Sequence, residues 1–216
     1  MKNFIVIGLG NFGSTVVREL SKLKRKVAAI DIDKAKVQAV RELAHLAIIA
    51  DATHKEFTEN LNVDNYDCAI ISTGKDSLAA ILITLHLKEL GVKKIIAKAN
   101  SADHAKVLTR VGADEAMIPE ENMAIRIAHS LARSNLVDFL PLSAGHYVAE
   151  IAAPEKFVGK TLAELDLSRK YQVQVIASKG AKSGEFQFAP GGGYRVKEKD
   201  LLVVLGKEEN IEKIRE

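Results

Sequence analysis

The chain has 216 residues, 47% of them hydrophobic, enough to bury a substantial core in one large domain or two modest ones. Its 31 Lys and Arg against 28 Asp and Glu leave a formal charge of +3, a mixed surface without the basic excess of a nucleic-acid binder, so no nucleic-acid partner is expected. A single cysteine permits no intramolecular disulfide, and the opening residues read as a strand rather than a charged leader with a long apolar segment, which points to a cytoplasmic protein.

In chain order, six short apolar runs alternate with helical patterns: NFIVIG (3–8), KVAAID (26–31), LAIIA (46–50), YDCAIIS (66–72), KIIAKA (94–99) and EAMIP (115–119). Between them lie the helical patterns NFGSTVVRELSKL, DKAKVQAVRELA, a shorter HKEFTENLN, KDSLAAILITLHLKEL and SADHAKVLTRVG. Apolar strands separated by helices predict a parallel sheet covered on both faces, an α/β doubly wound sheet of Rossmann type. The longest apolar stretch, LAAILITLHL (78–87), contains His86, is flanked by Lys75 and Lys88, and falls well short of the ~20 residues needed to cross a bilayer. Cys68 lies within a strand pattern and reads as a buried small apolar side chain in preference to a reactive thiol.

A longer helix pattern follows in EENMAIRIAHSLARSN (120–135), with an apolar stripe at Met123, Ala124, Ile127, Ala128, Leu131 and Ala132 that has no evident strand to pack on. Pro141 and Gly145 then mark a break. Beyond it YVAEIAA, VQVIAS, EFQFA and DLLVVLG read as strands, with short helices at TLAEL and EENIEKIRE, so a small α+β domain is expected. The predicted division is residues 1–138, including the long helix, and residues 139–216. Gly191, Gly192 and Gly193 read as a flexible loop between strands.

Gly8, Gly10 and Gly13 form G-x-G-x-x-G after a predicted strand and at the opening of a predicted helix. That spacing gives a tight turn, an approach for a pyrophosphate to the backbone, and close helix–strand packing, with free N–H groups at the helix start. Asp31 ends the second strand, 23 residues after Gly8, where a carboxylate accepts hydrogen bonds from a ribose hydroxyl and repels a 2′-phosphate, disfavouring NADP. Asp33 reads better as a helix cap than as a ligand contact. The polar strand ends ADAT (50–53), STG (72–74) and AKAN (97–100) should border the same crevice. Asn11, Phe12 and Ile32, beside the glycine turn and Asp31, join the candidate set. His45, His54, His86, His104, His129 and His146 show no metal-ligand spacing and no catalytic grouping, so no enzymatic activity is expected.

The joint occurrence of VIGLGNFG, AAIDID, ADAT, ISTG, IIAKANS, KVLTRVGADEAMIPEENMAIRIA, FVGKTLAELDL and KEKDLLVVLG resembles the RCK proteins that regulate potassium channels and transporters, specifically the single-RCK TrkA/KtrA type. The resemblance covers essentially the whole chain. It implies an RCK N-lobe and C-lobe in a cytoplasmic gating subunit, at the inner face of the cell membrane, that assembles as dimers and an octameric ring under a TrkH/KtrB-type K⁺ transporter. It implies an adenine nucleotide, ADP or ATP with NAD or NADH as the alternative, held by Gly8, Gly10, Gly13, Asp31, Asp51, Ala52, Thr53, Ser72, Thr73, Gly74 and Lys98. Glu120 resembles a position where Mg²⁺ or Ca²⁺ binds near the terminal phosphates, and the helix from Met123 to Leu136 resembles a crossover element that packs on a second subunit.

Two departures stand out. Asn11 occupies a position where many KtrA-like members carry an Arg that reaches a neighbouring subunit's nucleotide, which implies weaker separation of ATP from ADP unless Lys75 compensates. Arg169 is displaced by one position from an Arg that binds a cyclic dinucleotide in some members' C-lobes, so that activity is not carried over. Two other functions stay open at this point: a small NAD-dependent oxidoreductase, and a stand-alone nucleotide sensor.

Overall fold

The computed structural model describes residues 2–74, 76–132, 136–142, 145–181 and 184–215. Lys75 and the end of the long helix pattern, residues 133–135, lie outside them. The chain divides into two compact units, residues 1–120 and 121–216, so most of the long helix falls in the second unit rather than the first.

The first unit contains six strands, β1 (Asn3–Ile7), β2 (Lys26–Asp31), β3 (Leu46–Ile49), β4 (Cys68–Ile71), β5 (Ile95–Lys98) and β6 (Glu115–Met117). They pair in parallel in the order β3-β2-β1-β4-β5-β6. Five helices connect them: α1 (Asn11–Lys22), α2 (Lys34–Val40), α3 (Lys55–Glu59), α4 (Ser77–Glu89) and α5 (Ala102–Val111). Every predicted strand of this domain is present, and the doubly wound sheet is the observed architecture.

The central strands carry unbroken apolar runs because helices cover both faces. Ile5, Ile7, Ile30 and Ile71 join Ile83 and Leu87 of α4 in one core cluster, and Val6, Ala29 and Ile70 join Val17 of α1 in the cluster on the other face. Each Val, Ile or Leu among them contributes about 1.5–3 kcal/mol on burial. Cys68 is buried with them, and burial pushes its thiol pKa up. Thr84, polar but fully buried on α4, donates its hydroxyl to the Ala80 carbonyl at 2.7 Å.

Caps set the helix starts. Asp33 accepts from Ala35 N–H at 2.8 Å for α2, Asp76 from Ala79 N–H at 2.9 Å for α4, and Ser101 from His104 N–H at 3.2 Å for α5. Helix α1 differs: its cap is Gly10, and no side chain closes its first turn.

Helix α6 (Pro119–Ala132) leads into the second unit, whose strands β7 (Leu136–Pro141), β8 (His146–Ala152), β9 (Gln174–Lys179), β10 (Phe186–Phe188) and β11 (Leu201–Lys207) form an antiparallel sheet in the order β10-β9-β11-β8-β7. Helices α7 (Leu162–Leu165), α8 (Leu167–Tyr171) and α9 (Glu208–Arg215) complete it. The α+β domain is as expected, but β7 and α8 are additions. The break read at Pro141 is the last residue of an edge strand, a place where a missing N–H is tolerated. Met123, Ile127 and Leu131 of α6 are exposed in the single chain, Leu131 to 81%. Among the described residues no helix is long and apolar enough to cross a membrane.

Candidate functional site

The order β3-β2-β1-β4 places a topological switch point between β1 and β4, and a crevice must open there because the connections from these strands run to opposite sides. A cavity of about 670 Å³ occupies the carboxyl ends of these strands.

Its floor is the turn after β1. Gly8 has φ +89, and a Cβ there would overlap the Ser72 carbonyl oxygen and lie 2.9 Å from Thr73 N, so this position takes glycine on both counts. A Cβ on Gly13 would overlap the Gly8 carbonyl oxygen, which is how α1 comes to lie hard against the turn. Gly10 is different in kind: among the described residues, its own chain neighbours aside, nothing lies within 4 Å of where its Cβ would be. The first N–H groups of α1 therefore meet an open cradle with no side-chain cap and no acidic residue in the first turn, an arrangement suited to an anion.

Asp31 forms one wall and is 7% exposed. Its Oδ2 accepts the Leu9 N–H at 2.7 Å and its Oδ1 the Asp33 N–H at 2.8 Å, so the carboxylate is locked in place while each oxygen keeps a further lone pair. Lys36 brings its Nζ to 3.7 Å from Asp31 Oδ2. Ile32 lies beside them, largely exposed on the rim.

Past the end of β3, Asp51 accepts both the Thr53 hydroxyl at 2.6 Å and the Thr53 N–H at 2.9 Å. These bonds, the hydroxyl foremost, hold the Asp51 carboxyl below its ordinary pKa, with a smaller contribution from His54, whose Nε2 lies 3.7 Å from Oδ2. On the far side Lys98, its side chain only 15% exposed, ends β5 and pairs with Glu120 in the first turn of α6. The Lys98 ammonium holds the Glu120 carboxyl below its usual range.

Of the candidate residues, Gly8, Gly10, Asn11, Phe12, Asp31, Ile32, Asp51 and Ala52 line this cavity, and so do Thr53, Ser72, Thr73, Gly74, Lys98 and Glu120. Gly13 does not, since it packs beneath the turn, and Asp33 is occupied as the cap of α2. From AKAN only Lys98 reaches the lining. Sequence reasoning missed Lys36, Asp76 and the apolar face Leu78, Ala79, Leu82 and Ile83 of α4. The spacing of those four was a legible signal, for it puts them on one side of a helix. Among the described residues there is no group of three or more His, Cys, Asp or Glu side chains able to hold a metal ion. A cation at Glu120 would have to share its coordination with ligand oxygens.

The chain matches the family model of the TrkA-N domain over residues 4–119 and that of the TrkA-C domain over residues 147–216. It is 40% identical to Ktr system potassium uptake protein C of Bacillus subtilis (strain 168), covering 97% of this chain and 94% of the relative. It is 37% identical to Ktr system potassium uptake protein A of Vibrio alginolyticus, again over 97% and 94%. Among solved structures the GsuK RCK domain superposes with a TM-score of 0.55 at 21% identity, over 98% of this chain and 45% of that one. The GsuK channel bound to NAD gives 0.52 at 20%, over 99% and 38%. This chain thus spans less than half the length of those two structures, and the likeness to them is one of fold. With both domain models matched in order and the Ktr proteins similar over nearly their full length, the chain belongs to the TrkA/Ktr family of potassium uptake proteins.

Proposed function

We propose that this chain is a cytoplasmic, non-enzymatic regulatory subunit that senses an adenine nucleotide and, as a homo-oligomeric ring, biases a membrane-embedded K⁺ transporter between states. The observation that carries the reading is the uncapped N-terminus of α1 facing the open space at Gly10, with the locked Asp31 carboxylate across the same cavity. The names of the Ktr relatives support the transport role, and the NAD- and ADP-bound GsuK structures are in keeping with a nucleotide in a fold of this kind.

In this reading the α1 N–H groups receive phosphate oxygens, Asp31 accepts a ribose hydroxyl, and Ile32 and Ala52 flank the base. Lys98 is a cation of the cavity lining on the side of Glu120. Turning toward terminal phosphates, it would give up Glu120 and so change the charge pairing at the root of α6. Glu120, released, becomes available to Mg²⁺ or Ca²⁺ that the phosphates hold. A nucleotide shifts the ring only by the difference in its affinity for two arrangements, and the exchange at Lys98 supplies such a difference. The exposed stripe Met123, Ile127 and Leu131 is the surface assigned to a second subunit, because contiguous apolar patches of several hundred Å² are seldom left in water.

Calorimetric titration with ADP, ATP and NADH, paired with light scattering, tests the reading. Binding with a dimeric or larger particle is expected. No heat of binding for any of the three at millimolar concentration, or a monomer with and without nucleotide, would overturn it.

A further inference from the structure

Lys36 has no assigned role. It sits in the first turn of α2, where the helix dipole disfavours a cation and no other residue of that turn is acidic, and it pairs instead with Asp31 outside the helix. Its ammonium lies over the ribose wall of the cavity, 3.7 Å from Asp31 Oδ2, with its side chain 47% exposed and so able to swing on its four-carbon stem. The neighbouring charges are otherwise placed: Asp33 accepts the Ala35 N–H, and Lys34 is exposed and outside the cavity lining.

A carboxylate at the end of the second strand ordinarily rejects a 2′-phosphate, and a basic residue nearby accommodates one. Here both are present at one wall. Asp31 is held by two backbone N–H groups and cannot turn away from a phosphate, whereas Lys36 is free to move toward it. We propose that Lys36 is a specificity-determining residue of the site, which offsets the Asp31 carboxylate and pairs with a phosphate on the adenosine 2′-oxygen, so that 2′-phosphorylated adenine dinucleotides are ligands of this chain. The inference rests on the nucleotide reading above and revises the exclusion of NADP that Asp31 alone implies.

The test compares NADH with NADPH, which differ by that phosphate alone, on the full chain as wild type, Lys36→Gln and Lys36→Arg, with ADP titrated alongside. In the wild type NADPH should bind within about tenfold of NADH, a gap of about 1.4 kcal/mol. Lys36→Gln should lower the NADPH-to-NADH affinity ratio at least a further tenfold, and Lys36→Arg should keep the wild-type ratio. A ratio that falls by less than tenfold in Lys36→Gln, or a wild type that binds NADH but not NADPH, overturns the role of Lys36 and leaves the nucleotide site standing. Failure of the wild type to bind ADP, NADH and NADPH removes the nucleotide reading itself and this inference with it.

Discussion

Alanine at Gly10 and alanine at Gly13 add the same methyl group three residues apart, and the structure assigns them opposite consequences. At Gly13 the new Cβ would overlap the Gly8 carbonyl oxygen and lie 3.1 Å from the Gly8 carbonyl carbon, and a backbone group cannot rotate aside. Overpacking of this kind costs typically 1–3 kcal/mol, and the rigid neighbour places it near about 3. For a unit of this size that lowers Tm by roughly 4 °C per kcal/mol, so about 12 °C. At Gly10 the backbone has φ −67, which alanine adopts freely, and the methyl meets nothing within 4 Å. Alanine is a poorer cap than glycine by about 0.5–1 kcal/mol, and the loss of freedom in the unfolded chain returns a similar amount, so Tm should move by no more than about 2 °C. The methyl does, however, stand where a phosphate must approach the α1 N–H groups, and losing one charge-assisted hydrogen bond costs about 1.5–3 kcal/mol, at least tenfold in Kd. Thermal melts and ADP titrations of both variants are the assay. Wild-type ADP affinity in Gly10→Ala would refute the placement of phosphates at this helix, and a wild-type Tm in Gly13→Ala would refute the packing argument.

Asp31→Ala should weaken ADP binding by about 1.5–3 kcal/mol and also lower Tm, because the buried Leu9 N–H loses its acceptor; calorimetry on the folded variant that finds unchanged affinity removes Asp31 from the site. Asp51 is held below its ordinary value of 3.8, so its stabilising contribution is complete above about pH 5 and is lost as pH falls through the folded value. Thr53→Val should raise the Asp51 pKa in a carboxyl NMR titration, and no rise would show that the Thr53 hydroxyl is not the cause. In chelator, Glu120→Gln should tighten ATP binding roughly twofold to fivefold by releasing Lys98, and it should abolish the tightening that Mg²⁺ or Ca²⁺ gives the wild type; equal metal enhancement in both proteins excludes Glu120 as a ligand. Asn11→Arg should increase the preference for ATP over ADP, whose ratio in the wild type is expected below about tenfold, or ~1.4 kcal/mol. A hundredfold wild-type preference that the Arg variant leaves unchanged would defeat that reasoning.

The parts of this protein that were legible in the sequence are those whose cause is local. A strand covered on both faces needs an apolar run, so β1, β2 and β4 could be read from runs such as NFIVI and CAII without knowing their neighbours. The turn at Gly8 and the carboxylate at Asp31 follow from spacing, because a strand, a tight turn and a helix entry fix which residues face the strand ends. Strand β7 was hidden because Pro141 signals a break within the chain, and only pairing with β8 on the sheet edge makes it a strand end. Tertiary packing gave physical form to roles that the sequence already separated. Gly13 and Gly10 share one motif, yet one is filled by the backbone beneath it and the other is open; Asp31 and Asp33 stand two residues apart, yet one faces the cavity and the other closes a helix. The charge pairs Lys36 with Asp31 and Lys98 with Glu120 lay beyond local reasoning altogether. Each depends on how a helix is laid against the sheet, which is set by the summed burial of both elements and not by the residues that happen to meet.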